Sequence, residues 1–128
     1  MKRPEQALQI AVAQYLGHAL KAPTIWTAFP AGGGGKVRGA FLKAMGLKAG
    51  WPDILVMHPL EIHPTVIGIE LKAKAGRISP AQKVVMESFL ACKAWYVLCR
   101  SVDEVEACLR YCKVPLHASA GPTVARAA

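Results

Sequence analysis

The sequence predicts an α/β domain with a central mixed β-sheet flanked by helices, in the order α-β-(α)-β-β-α-β-α. Three observations lead there. Apolar residues recur at helical spacing near the N-terminus, and short β-branched runs alternate with capped helical stretches further on. Two strands are joined by a short turn, which makes them an antiparallel hairpin. A strand-helix-strand run at the end requires a crossover, and so a mixed sheet. With 128 residues, 53% of them hydrophobic, the chain can bury one core without staples and is expected to be ordered.

Pro4 suits the first turn of a helix, and Leu8, Ala11, Val12, Tyr15, Leu16 and Ala19 then form an apolar stripe, so a helix is expected over 4–20. "TIWTAF" (24–29) is β-branched and aromatic, a strand closed by Pro30. The glycines of "AGGGG" predict a flexible loop, after which "KVRGAFLKAMG" reads as a short helix stopped by Gly46. Strands are expected over 53–57 and 65–71, around the turn "HPLEIHP". "SPAQKVVMESFLACK" is a helix with Ser79 as N-cap and Pro80 at its first position. "AWYVLC" is a strand, and "SVDEVEACLRYC" is a helix capped by Ser101. The domain is expected to span 1–114, with a disordered tail over 115–128.

Sixteen Lys and Arg against eight Asp and Glu leave a net charge of +8, with a pI near 9.6. That balance favours a polyanionic partner, above all nucleic acid. No apolar run reaches the roughly 18–20 residues that span a bilayer. "MKRPEQALQIAVAQYL" is interrupted by Glu5, Gln6, Gln9 and Gln14, so it does not read as a signal peptide and a cytoplasmic location is expected. The cysteines at 92, 99, 108 and 112 are then expected to be reduced. Cys108 and Cys112 have the spacing of half a zinc site, but all four read more simply as small packed hydrophobes.

In this basic chain two carboxylates stand at the edges of the most hydrophobic strands. The turn is centred on Glu61, so position 53 should face 69 or 70 across the antiparallel pair. Alternation puts Glu70 and Lys72 on one face, with Ile67, Ile69 and Leu71 on the other, toward a core. Asp53, Glu70 and Lys72 are thus expected to cluster, because cross-strand neighbours lie only about 5 Å apart. Adjacent carboxylates are tolerated when they are partly solvated or when they share a cation, and hard oxygen donors suit Mg²⁺ or Mn²⁺. Glu5, at the start of the first helix, offers a third oxygen ligand. A lysine beside such a centre can orient a water and offset charge developing on a phosphate.

"PD" at 52–53, sixteen intervening residues and "ELK" at 70–72 resemble the PD-(D/E)XK nuclease signature. "EQALQIAVAQYL", "LKAMGLKAGWPDILV" and "GIELKAKAGRISPAQKVVMESF" resemble, in that order, the first helix, the approach to the metal strand, and the catalytic strand with its basic loop and next helix in the stand-alone VRR-NUC branch of phages and bacteria. The resemblance covers roughly residues 4–100. It implies a restriction-endonuclease-like core and a Mg²⁺- or Mn²⁺-dependent DNA endonuclease in a bacterial cell or phage-infected host. Asp53 and Glu70 would be metal ligands, with the backbone carbonyl of Leu71 and with Glu5. Lys72 would be catalytic, and Gln82 matches a glutamine on the following helix. Similarity to Holliday-junction resolvases further implies a homodimer acting on branched DNA.

Lys36, Arg38, Lys43 and Lys48 lie in one acid-free segment, and Lys72, Lys74, Arg77 and Lys83 in another. Both border the expected site and read as a phosphate track, with Lys36, Arg38, Lys43, Lys48, Lys74 and Arg77 as DNA-binding candidates. "AGGGGKVRG" is no P-loop, because Val37 stands where a hydroxyl is required; a mobile DNA-contacting loop fits better. His58 and His63 read as exposed turn residues, and Trp26, Trp51 and Trp95 as core or rim. The main alternatives are a non-catalytic basic nucleic-acid-binding module and a zinc-stabilised interaction protein built on the cysteines.

Overall fold

The computed structural model describes residues 3–29 and 35–117. The elements follow the expected order: α1 (Arg3–Ala19), β1 (Ile25–Ala28), α2 (Gly35–Ala44), β2 (Ile54–His58), β3 (Thr65–Leu71), α3 (Pro80–Ala91), β4 (Trp95–Cys99) and α4 (Val102–Tyr111). The four strands form one sheet in the order β1-β2-β3-β4. β1 and β3 run antiparallel to β2, whereas β4 joins β3 in parallel through the α3 crossover.

The register is the one demanded by the turn. Ile54 pairs with Ile69 and Val56 with Ile67, which brings position 53 opposite 70. One sheet face therefore carries Ile54, Val56, Ile67, Ile69, Leu71 and Cys99, all buried. It packs on Val12, Tyr15, Leu16 and Ala19 of α1 and on Val105 and Leu109 of α4. The opposite face bears Gly68, Glu70 and Tyr96 and receives Phe89 of α3. Gly68 permits this packing, since a Cβ there would lie 2.6 Å from Pro52 Cγ and 2.8 Å from Phe89 Cε2.

The caps behave as their chemistry requires. Ser79 accepts the Gln82 N–H while the Gln82 side chain accepts the Ser79 N–H, a reciprocal capping box. Ser101 caps α4 through the Glu104 N–H. α2 ends at Gly46 (φ +104°), where the Leu47 and Gly46 N–H groups donate to the Leu42 and Lys43 carbonyls, closing the helix in a Schellman motif.

Several expectations need correction. Gly35 is the first residue of α2 and no part of the loop, whose remaining glycines (32–34) lie outside the described residues. α2 buries none of its residues, although its sequence has the helical form expected of it. Past position 114, Leu116 forms an antiparallel bridge with Leu20, and the His117 N–H donates to the Ala19 carbonyl. The rest of the expected tail, 118–128, lies outside the described residues. His58 is no exposed turn residue; it closes β2, half-buried, with Nδ1 2.7 Å from Thr24 Oγ1. His63 is exposed as expected.

Cys99 and Cys112 are buried and Cys108 is half-buried, but Cys92 at the end of α3 is exposed, so the cysteines do not all pack inside. Burial pushes the Cys99 and Cys108 thiols up to about 12, the behaviour of neutral packed groups. Among the described residues, no helix is long and apolar enough to cross a membrane.

Candidate active site

The register sets Asp53 and Glu70 side by side at the ends of β2 and β3. Asp53 is fixed from the backbone, because the Leu71 N–H donates to its Oδ2 over 2.7 Å. Pro52, fully buried against Gly68, holds the approach to this residue. Glu70 is only 4% exposed. Its Oε2 accepts a bond from Gln82 Nε2 at 2.8 Å and lies 3.4 Å from Lys72 Nζ. Among the described residues, its buried Oε1 has no hydrogen-bond partner.

The electrostatics follow from this crowding. Glu70 is raised from 4.5 to about 7, chiefly by loss of water and then by the neighbouring Asp53 charge, while Lys72 and Gln82 oppose the shift. Asp53 is also raised, mainly by burial and a little by Glu5, against the lowering effects of the Leu71 N–H, of hydrogen bonding with the Glu70 carboxyl and of Lys72. Two acids held together in a partly dry site resist joint ionisation, and a cation between them would relieve both costs.

Glu5 reaches this region from the first turn of α1. Its Oε2 lies 3.4 Å from the Ala73 N–H, a long bond, and within reach of Gly76. A Cβ on Gly76 would approach the Lys72 side chain at 3.1 Å and Glu5 Oε2 at 3.2 Å, so the bare glycine lets the turn after β3 fold over both. The structure thus gathers Glu5, Asp53, Glu70, Lys72 and Gln82 around one end of the sheet. Among the described residues, no three His, Cys, Asp or Glu side chains form a ready-made metal-holding group. The two carboxylates that the structure sets side by side are Asp53 and Glu70.

The basic candidates divide. Lys36 and Lys43 of α2 and Lys48 of the next loop line a common cleft of about 490 Å³. Arg38, on the same helix, does not line it. Lys74 and Arg77 are exposed on the turn after β3.

Two participants were invisible to sequence reasoning. The Tyr96 hydroxyl donates to the Gly50 carbonyl over 3.0 Å. Burial and the nearby Glu70 and Asp53 charges hold this phenol well above its ordinary range. Arg100 Nη1 donates to the carbonyls of Ala73 (2.7 Å) and Lys74 (3.3 Å), pinning the basic turn to the end of β4. Parallel pairing of β3 with β4 brings these residues in, and no local pattern announces that pairing. A tyrosine and an arginine bracketing the last strand were the only available signal.

No protein-family model and no curated protein matches this chain. Among solved structures, a chain described as "VRR_NUC domain protein" aligns with a TM-score of 0.67 and 22% identity, covering 90% of this chain and 93% of that one. The match extends over nearly the whole length of both molecules. The chain therefore has the restriction-endonuclease-like fold of a VRR-NUC domain.

Proposed function

We propose that this protein is a metal-dependent DNA endonuclease, specific for branched structures in the manner of a Holliday-junction resolvase and acting as a homodimer. One observation carries the proposal: Asp53 and Glu70 lie side by side with Lys72, and the buried Glu70 Oε1 has no partner among the described residues. An orphaned buried carboxylate oxygen is costly unless a cation meets it. The donors are hard oxygens, which suit Mg²⁺ or Mn²⁺. Asp53, Glu70 and the Leu71 carbonyl would hold the ion, with Glu5 contributing from α1. Bound there, the ion would polarise the scissile phosphate and offset charge on the leaving oxygen.

The chain's own residues do the rest. Lys72, anchored by its ion pair with Glu70, orients the attacking water and neutralises charge on the phosphate. Gln82 keeps the Glu70 carboxylate in place. Lys36, Arg38, Lys43, Lys48, Lys74 and Arg77 engage flanking phosphates, and two copies would supply the two sites that a junction requires.

The test is incubation with plasmid and four-way-junction DNA in Mg²⁺, in Mn²⁺ and in EDTA, with gel filtration for the oligomeric state. Cleavage in either metal is expected, none in EDTA, and none from Asp53→Ala or Lys72→Ala. Cleavage surviving both substitutions overturns the proposal. A second reading, a basic nucleic-acid-binding module without catalysis, draws on the absence of a three-ligand group among the described residues. Junction binding with no metal-dependent cleavage would favour it.

A further inference from the structure

Beside the carboxylates lies a smaller cavity to which the proposed chemistry gives no role. It measures about 200 Å³ and is lined by Phe29, Gly46, Leu47, Lys48 and Trp51. That is below the roughly 300–1,000 Å³ of pockets that take drug-sized ligands, so it suits a single small planar group. Trp51 is 45% exposed although it stands two positions before Asp53. Its indole is held edge-to-face by Phe29 (centroids 6.1 Å) and Phe89 (5.3 Å), so its orientation is set before any ligand arrives.

The cavity is mechanically tied to the site. The Phe29 N–H donates to the Asp53 carbonyl over 2.9 Å, and Trp51 leads directly into the Pro52–Asp53 step. It is also electrostatically tied to the basic cleft: Leu47 and Lys48 line both, and the cleft adds Lys36 and Lys43. Among the described residues, no acidic side chain lines either one. An aromatic wall with a cation at its rim, opening onto a lysine-lined track, has the composition of a site for one unstacked nucleotide.

We propose that this notch binds a nucleobase turned out of its stack next to the scissile phosphate, the base lying against Trp51 and Phe29 and its phosphate meeting Lys48. The strand continues along Lys36 and Lys43. This rests on the nuclease reading for its place next to a scissile bond, and it adds a discriminating element. Fully paired duplex keeps its bases stacked and leaves the notch empty, whereas a branch point or single strand fills it.

The test separates the notch from the chemistry. In EDTA, so that nothing is cleaved, fluorescence anisotropy compares a labelled oligothymidylate with an abasic phosphodiester oligomer of equal length. The base-bearing strand is expected to bind about tenfold or more tightly. Trp51→Ala should bring its affinity down to that of the abasic strand, and Trp51→Phe should retain most of the preference. Quenching of intrinsic fluorescence should vanish in Trp51→Phe, which keeps Trp26 and Trp95. Equal affinity for the two oligomers in the unaltered protein overturns the proposal, as does an unchanged preference in Trp51→Ala. If Trp51→Ala does not fold, the unaltered protein and Trp51→Phe decide alone. Metal-dependent cleavage without base preference sinks only the notch, and base preference without cleavage sinks only the nuclease.

Discussion

The side-chain amide of Gln82 joins two jobs: its Nε2 donates to Glu70 Oε2 over 2.8 Å, and its Oε1 accepts the Ser79 N–H over 2.8 Å. The helix cap and the acid are thus held by one group. Gln82→Ala should cost about 1–2 kcal/mol in urea denaturation, from a lost cap interaction and a lost half-buried hydrogen bond. It should also slow metal-dependent cleavage about 10–100-fold, as loss of a ligand's supporting partner does. Gln82→Glu keeps the cap acceptor but sets a like charge against Glu70, so it should lose cleavage while keeping more of the stability. Full activity in Gln82→Glu would show that the amide donor does not matter.

Glu70 makes stability depend on pH in an unusual direction. Its folded pKa of about 7 exceeds the ordinary 4.5, so between those values the folded state binds more protons than the unfolded chain. Stability contributed by this group is therefore greatest below about 4.5 and is lost as pH rises through about 7. Asp53, also raised, acts in the same sense. In EDTA, the difference in unfolding free energy between Glu70→Gln and the unaltered protein, from urea denaturation, should grow in favour of the variant from pH 5 to 7.5, by an amount on the order of a few kcal/mol. Adding Mg²⁺ at pH 7.5 should raise Tm in the unaltered protein and not in Glu70→Gln.

Gly46 and Gly50 both have positive φ, at +104° and +90°, but their surroundings differ. A Cβ at 46 meets nothing within 4 Å, whereas one at 50 would lie 2.4 Å from the Ala81 carbonyl oxygen. Gly46→Ala should cost about 1 kcal/mol, the conformational penalty alone. Gly50→Ala should cost clearly more, and it should slow cleavage because Gly50 also accepts the Tyr96 hydroxyl bond next to the carboxylates. Equal Tm losses in the pair would show that the backbone of α3 yields easily there.

The lysines of the cleft should be visible in salt titrations. Each phosphate contact contributes about 0.9 to the slope of log affinity against log salt on duplex, and about 0.7 on single strands. Replacing Lys36, Lys43 and Lys48 together should therefore flatten the slope by about 2–3. Arg38→Gln, a residue that does not line the cleft, should change it by less.

The chain by itself determined what depends on neighbours in sequence. Ser79 and Ser101 announce helix starts because a hydroxyl satisfies N–H groups two or three residues ahead. The period-two pattern and the turn around Glu61 set the β2–β3 register, and with it the meeting of Asp53, Glu70 and Lys72. What the sequence could not convey was dryness and convergence across distant segments. That Glu70 is buried follows from α3 closing over a sheet face where Gly68 leaves room for Pro52 and Phe89. That Tyr96 and Arg100 reach the site follows from β4 adding in parallel beside β3. That Trp51 forms a notch with Phe29 and Lys48 depends on where β1 and the loop after α2 come to rest. Local backbone preference is written over a few residues, whereas burial and side-chain convergence depend on the packing of the whole chain, and only the tertiary structure decides them.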